Sequence, residues 1–353
     1  MSGPRLPQPL WRHIVVGKPS TNTVVITGAT SGSGPGLDEA SSNQDYDVVA
    51  TSRSAERLQA TAGKVNAGER FLALIASCLL CSTAVGADLT EKPVVAGAGV
   101  KLYALDCGHM EFKDMGMFAD TGEYDGTAGK LTASCFVIKH PKGTLLWDSG
   151  LGDKIAETPQ GIDLFGGQIH FSVPLTVASQ LKQIGLAAAD ITYVSFSHLH
   201  LDHAGNANMF PSSTWILNSN EIAWATAAPP PFGVDPSLFS GYKTVKTQMI
   251  DGDCDVFGDG TVRILKAPGH TPGHSVLELT LRKAGVVILS GDLYHVHENR
   301  TFQRVPTFNY DRADTLASID RIEKIVKNTK ARFVVQHDAA DLKTLPKFPA
   351  YLD

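Results

Sequence analysis

The 353-residue chain is short of the features that announce a function class at once. Its formal net charge is only −5 and neither sign forms a long run, so the electrostatic footprint of a nucleic-acid binder is missing. No apolar stretch is long enough for a comfortable membrane span, so no stable membrane insertion is expected. Cysteine is scarce: Cys78, Cys81, Cys107, Cys135 and Cys254 form no spaced framework of the kind that staples small secreted domains. Internal repeats are absent, and low complexity is confined to the loop "APPPFG" at 228–233. What remains is an ordinary globular composition, 43% hydrophobic and 19% charged, able to bury one large core with a smaller unit beside it.

The first stretch of chain promises a chemistry and abandons it. Residues 23–58 read as strand, glycine turn, short helix and second strand, and Thr27, Gly28, Gly32 and Gly34 resemble the T-G-x-x-x-G-x-G fingerprint of short-chain dehydrogenases. Pro35 and Gly36 fall where the helix should start, and the pattern ends far short of a nucleotide-binding domain. Tyr242 and Lys246 match Y-x-x-x-K but lie in a different region. Residues 1–64 therefore read as a truncated Rossmann-like extension with no bound nucleotide. The apolar run 71–87 follows Arg70 and closes on Val85, Gly86 and Ala87, small residues that suit signal peptidase. It resembles a signal peptide, with a buried helix as the competing reading. Cys78 and Cys81 lie inside it, where a redox or zinc role is not expected. Three regions follow: 1–64, a signal-like 65–87, and a main domain over 88–353. The location expected is periplasmic or secreted, or cytoplasmic if the extension is genuine.

From about residue 99 the pattern becomes regular. "VKLYALDC", "ASCFVIKH" and "GTLLWDSG" are short apolar or alternating runs cut by glycine turns, as antiparallel strands require. "VPLTVASQLKQIGL" has helical spacing and a closing Gly185, and "RADTLASIDRIEKIVKNT" is an amphipathic helix. "ITYVSFS", "DCDVFGDGTVRILKA", "SVLELTLRKAGVVILSGD" and "ARFVVQH" supply further strands.

Those strands deliver an unusual set of side chains. "SHLHLDHAG" places His198, His200, Asp202 and His203 within six positions, in a chain with only 12 histidines. His270 follows a turn in "APGHTPGH", Asp292 ends "VVILSGD" and His337 ends "RFVVQH". Five histidines and two aspartates, without thiolate, suit zinc or a similar divalent ion. Two such ions can share a hydroxide derived from a water whose pKa is lowered to about 7, a nucleophile at neutral pH.

This series resembles the dinuclear hydrolases of the metallo-β-lactamase superfamily. "LLWDSGLG", "SHLHLDHAGN", "PGHTPGHS", "SGDLYH" and "VQHD" are together most similar to N-acyl homoserine lactonases, over roughly residues 99–351. The resemblance implies an α/β fold, the αββα sandwich of two mixed β-sheets flanked by helices. It implies that His198, His200 and His270 hold one metal ion, that Asp202, His203 and His337 hold the other, and that Asp292 bridges them. Asp202, Asp292 and Tyr294 are the catalytic candidates, with Asp292 passing a proton. The expected reaction is attack of the shared hydroxide on a small-molecule lactone, and a homodimer is compatible with it. A phosphotriesterase of the methyl parathion hydrolase type, or another esterase of this fold, is the alternative. Asp148 reads either as the acceptor that orients a ligand histidine or as a turn residue. His274 reads as structural, and His297 is open. Two positions depart from the lactonase pattern: Leu201 stands where an aromatic is usual, and His295 occupies the place of the usual tyrosine, with Tyr294 one residue earlier. Met115, Met117 and Phe118 are candidates for an acyl-chain groove.

Because every candidate ligand lies beyond residue 87, a chain beginning at Asp88 is expected to fold, bind metal and retain full activity. Soluble expression and turnover of this truncation check it, and an inactive truncation beside a working full-length chain would return residues 1–87 to the enzyme.

Overall fold

The structure, a computed structural model, describes Gly97 and residues 99–353, together with the backbone of three short strands nearer the N-terminus. The chain divides into two units, Met1–Thr90 and Glu91–Asp353. In the first, Thr23–Thr27 and Asp47–Thr51 pair in parallel, and Phe71–Leu72 adds a third parallel strand. The glycines of the dehydrogenase-like fingerprint and all but the first two residues of the signal-like run lie outside the described residues.

The second unit is built on two sheets. The larger has eight strands in the order Thr247–Ile250, Thr214–Asn218, Tyr193–Ser195, Gly143–Trp147, Gly129–His140, Lys101–Phe112, Ile169–Ser172 and Ile162–Leu164. Its first four strands are mutually parallel and the remaining pairs antiparallel. The smaller runs Cys254–Asp255, Val262–Lys266, Ser275–Leu281, Gly285–Leu289 and Arg332–Val334, antiparallel except for its last pair. Both sheets are mixed, as expected.

Burial on both faces explains why these strands read as nearly continuous apolar runs. In Gly129–His140, Phe136 and Ile138 point into the layer between the sheets, where they meet Leu277, Leu279, Val287 and Leu289. The alternate residues Cys135 and Val137 point to the opposite face, against Val177 and Leu181 of the helix Val177–Gln183. That helix starts where Thr176 Oγ1 accepts the Ser179 N–H at 3.1 Å. On the outer face of the smaller sheet, Ile319 and Ile322 of the helix Arg312–Thr329 pack on Leu265, Val276 and Ile288. The arrangement is helix, sheet, sheet, helix. Among the described residues no helix is long and apolar enough to cross a membrane.

One covalent link was not legible from cysteine spacing. Cys107 and Cys135, on neighbouring strands, form a disulfide that closes a separation of 28 residues, and both are buried. A register shift between Asp106 and His109 brings Cys107 to its partner. Gly150 lies against the bridge: a Cβ there would stand 2.3 Å from Cys107 Cβ, so the turn after Gly143–Trp147 can approach only as glycine. Replacing both cysteines by alanine is expected to lower stability by about 2–4 kcal/mol. Urea unfolding with and without reductant checks this, since the double variant should no longer respond to reductant.

Candidate metal centre

Each candidate residue follows the carboxyl end of a strand. His198, His200, Asp202 and His203 lie beyond Tyr193–Ser195, His270 beyond Val262–Lys266, Asp292 beyond Gly285–Leu289 and His337 beyond Arg332–Val334. Loops there converge, and the side chains fall into two groups: His198, His200, His270 and Asp292, then Asp202, His203 and His337. Within each group, one ligand atom per residue lies within 4.8 Å of all the others.

The spacing has chemical content. His198 Nε2 is 2.8 Å from His200 Nδ1, and His270 Nε2 is 3.1 Å from that same Nδ1. Asp292 Oδ2 stands 3.6 Å from His198 Nε2 and 3.2 Å from His270 Nε2. In the second group His203 Nε2 and His337 Nε2 are 3.1 Å apart, each 3.6 Å from Asp202 Oδ2. Asp292 Oδ1 lies 3.0 Å from His203 Nε2 and 2.8 Å from His337 Nε2. For bonds of about 2.0–2.1 Å to zinc, the edges of a tetrahedron are about 3.3 Å. Both groups fit a tetrahedral divalent cation, and Asp292 offers one oxygen to each.

Most of the remaining ring nitrogens are fixed from behind. His270 Nδ1 meets Asn309 Oδ1 at 2.9 Å, and His337 Nδ1 donates to the Thr132 carbonyl at 2.6 Å. His203 Nδ1 donates to Asp148 Oδ2 at 3.0 Å. Asp148 Oδ1 accepts the Ser197 N–H at 2.7 Å, so this carboxylate orients the histidine loop and is more than a turn residue. Its backbone is left-handed, φ 58°, a strained geometry that Asp tolerates better than most residues. His274 Nε2 accepts the Asp292 N–H at 2.8 Å while its Nδ1 donates to the Ala267 carbonyl. It positions the carboxylate rather than joining the ligand sets.

Burial and neighbouring charge polarise the cluster. Burial pushes His198 and His200 well below the ordinary imidazole pKa, so both are neutral donors at neutral pH. Burial works the same way on His203 and His337, but Asp292 and Asp202 outweigh it and raise both. Burial would raise Asp292, yet the surrounding histidines hold it well below the usual carboxylate range. Positive charge is therefore favoured around a fixed carboxylate.

The structure places Tyr294 elsewhere, which corrects its assignment as a catalytic residue. Its ring is buried against Phe333 and its hydroxyl donates to Glu323 Oε1 at 3.1 Å, in the layer beneath the helix Arg312–Thr329. The extended backbone alternates, so His295 faces the centre instead, with Nε2 2.9 Å from Asp292 Oδ2. His297 is exposed and outside both groups. Of the expected groove residues, Met117 and Phe118 line the cleft above the histidines together with Phe165, Phe232 and Phe308, whereas Met115 packs behind it. Glu221 and Asn309 carried no motif, Gln336 lay inside "VQHD" without a role, and "APPPFG" read only as a loop although Phe232 and Gly233 border the site. The one available signal was indirect: every ligand imidazole needs a partner for its second nitrogen.

Fold and donor set together define a metallohydrolase of the sandwich type. The sequence pattern of the Metallo-beta-lactamase superfamily matches residues 128–337, and the chain belongs to that superfamily. The N-acyl homoserine lactonase AttM of Azorhizobium caulinodans is 28% identical over 272 residues, covering 72% of this chain and 99% of the relative. The N-acyl homoserine lactonase AiiA of Bacillus thuringiensis subsp. kurstaki is 29% identical over 234 residues, or 64% of this chain and 90% of the relative. The solved structure of an N-acyl homoserine lactone hydrolase with the product N-hexanoyl-L-homoserine at its catalytic metal center superposes with a TM-score of 0.63 at 27% identity, covering 71% of this chain and 98% of that one.

With its hydroxyl committed to Glu323, Tyr294→Phe is expected to lower stability by about 0.5–1.5 kcal/mol and leave turnover within about twofold of the parent. Thermal unfolding and steady-state kinetics on one preparation check both halves.

Proposed function

We propose that this chain is a dinuclear metal-dependent hydrolase that opens the lactone ring of N-acyl homoserine lactones and thereby quenches quorum-sensing signals. The observation that carries the reading is a carboxylate shared by two donor groups at the foot of an aromatic-lined cleft. Likeness to named lactonases over nearly their whole length supports it.

His198, His200, His270 and Asp292 would hold one ion, and Asp202, His203 and His337, with the other oxygen of Asp292, the second. A donor set without thiolate suits zinc. Bound there, the two cations supply an activated water and an electrophile for the ester carbonyl. The protein's own part is orientation and proton transfer. Asp292 has both oxygens engaged, so the proton-carrying role expected of it passes to Asp202, whose side chain is the more open of the two. Asp202 takes the proton of the attacking water and returns it to the ring oxygen as the acyl carbon–oxygen bond breaks. His295, neutral because burial pushes its pKa down to about 4, stands at the place first assigned to Tyr294 and, with Nε2 beside Asp292 Oδ2, positions that carboxylate. Met117, Phe118, Phe165 and Phe232 take the acyl chain and exclude water. The buried disulfide supports reading residues 65–87 as an export signal and the mature chain as periplasmic or secreted, because such bonds persist in oxidising compartments.

Mass spectrometry of the product tests the reaction: ring-opened acyl homoserine, heavier by one water with the amide intact, is expected. Free fatty acid with homoserine lactone would make it an amidase, and phosphotriester cleavage without lactone turnover would favour the alternative hydrolase. His198→Ala or His203→Ala should reduce turnover on the order of a thousandfold or more, whereas His295→Gln should cost about tenfold to a hundredfold.

A further inference from the structure

Glu221 is a buried carboxylate with no part in the chemistry described so far. It sits in the first turn of the short helix Ser219–Ala225, 3% exposed, remote in sequence from every candidate ligand. Its Oε1 accepts the Leu199 N–H at 2.9 Å, and its Oε2 accepts the Thr271 hydroxyl at 2.6 Å and the Gly273 N–H at 3.0 Å. Leu199 stands between His198 and His200, and Thr271 directly follows His270. One side chain thus ties together the two loops that carry all three histidines of the first group. The approach is close: a Cβ on Gly273 would lie 2.4 Å from Glu221 Cβ, so that loop reaches the carboxylate only through glycine.

In the second group the corresponding link is Asp148, whose Oδ2 accepts from His203 Nδ1 and from Gln336 Nε2, and Gln336 immediately precedes His337. His203 is oriented by Asp148 and His337 by the Thr132 carbonyl. Glu221 serves the loops of the first group and Asp148 those of the second, although Asp148 also accepts the Ser197 N–H beside His198 and both groups share Asp292.

We infer that Glu221 is a positioning residue for one ion only, clamping the loops of His198, His200 and His270 into register while leaving the Asp202, His203 and His337 site unaffected. A buried anion with three donors is expensive to disturb, because each donor left without an acceptor loses its hydrogen bond in a medium that offers no water. Glu221→Gln keeps size and shape but turns one acceptor atom into a donor, against the fixed N–H of Leu199 or of Gly273. The inference rests on the dinuclear reading above, and the experiment separates the two.

Metal-free protein is titrated with cobalt(II), following the d–d absorption and the bound stoichiometry by equilibrium dialysis. The parent chain should bind two ions. In Glu221→Gln the affinity for one ion should fall about tenfold to a hundredfold with the other within about threefold. Its residual spectrum should match that of His270→Ala and differ from that of His337→Ala. Thr271→Val, which removes one donor and leaves the carboxylate in place, should weaken the same ion by a smaller factor, and serves if Glu221→Gln does not fold. Equal weakening of both ions in the folded variants, unchanged binding, or a residual spectrum like that of His337→Ala would overturn the inference. A parent chain that binds fewer than two ions would overturn the dinuclear reading itself.

Discussion

At the open edge of the sandwich the controlling constraint is the carboxylate of Asp292, whose two oxygens face different sets of imidazoles at 2.8–3.6 Å. A single aspartate can serve both sets only if its backbone is fixed as firmly as its side chain. That is arranged from two directions. The Asp292 N–H is held by His274, and the preceding Gly291 N–H donates to Gln336 Oε1 at 2.9 Å. Gln336 in turn accepts from Trp147 Nε1 and donates to Asp148 Oδ2, so the bridging carboxylate and the acceptor of His203 belong to one buried network. In low dielectric such a network is stable only when its members are satisfied. The reward is a rigid frame for donors that, by charge and lone-pair repulsion, would otherwise separate.

The two sheets exist, from the site's point of view, to bring strand ends together. Parallel pairing of Gly143–Trp147 with Tyr193–Ser195 places Asp148 beside the histidine loop, and parallel pairing of Gly285–Leu289 with Arg332–Val334 places Asp292 beside His337. The antiparallel strands between them fill the core, and one of them, Val262–Lys266, delivers His270. Apolar packing between the sheets therefore sets how closely the residues carried by the larger sheet approach those carried by the smaller within each group.

How much of this the sequence discloses depends on the kind of interaction. Ligands compressed into six positions, such as His198 to His203, are legible because metal chemistry demands those residue types and little else does. Strand-terminal His270, Asp292 and His337 are legible because each closes an apolar run. The helix Arg312–Thr329 is legible from its period. Glu221, Asn309 and Gln336 are not, since an acidic or amide side chain gives no hint of which distant N–H or imidazole it will meet. Tyr294 shows the opposite failure. Its position near Asp292 invited a catalytic role, but a shift of one residue along extended backbone reverses the face of the side chain, and the hydroxyl ended at Glu323. Cysteine spacing likewise concealed the bond between Cys107 and Cys135, which depends on a register shift that no composition records.

The anchoring of Asp292 also bears on the order in which the centre is made. All members of the first group lie at or before Asp292, whereas His337 comes 45 residues later. The first donor group is complete in sequence before the second, but the Ser290 N–H bonds to the Val334 carbonyl and the Gly291 N–H to Gln336. Until the strand Arg332–Val334 adds to the sheet edge, the shared carboxylate has no fixed seat, and such long-range pairing closes late. Both donor groups thus depend on one late strand pairing for the seat of the member they share.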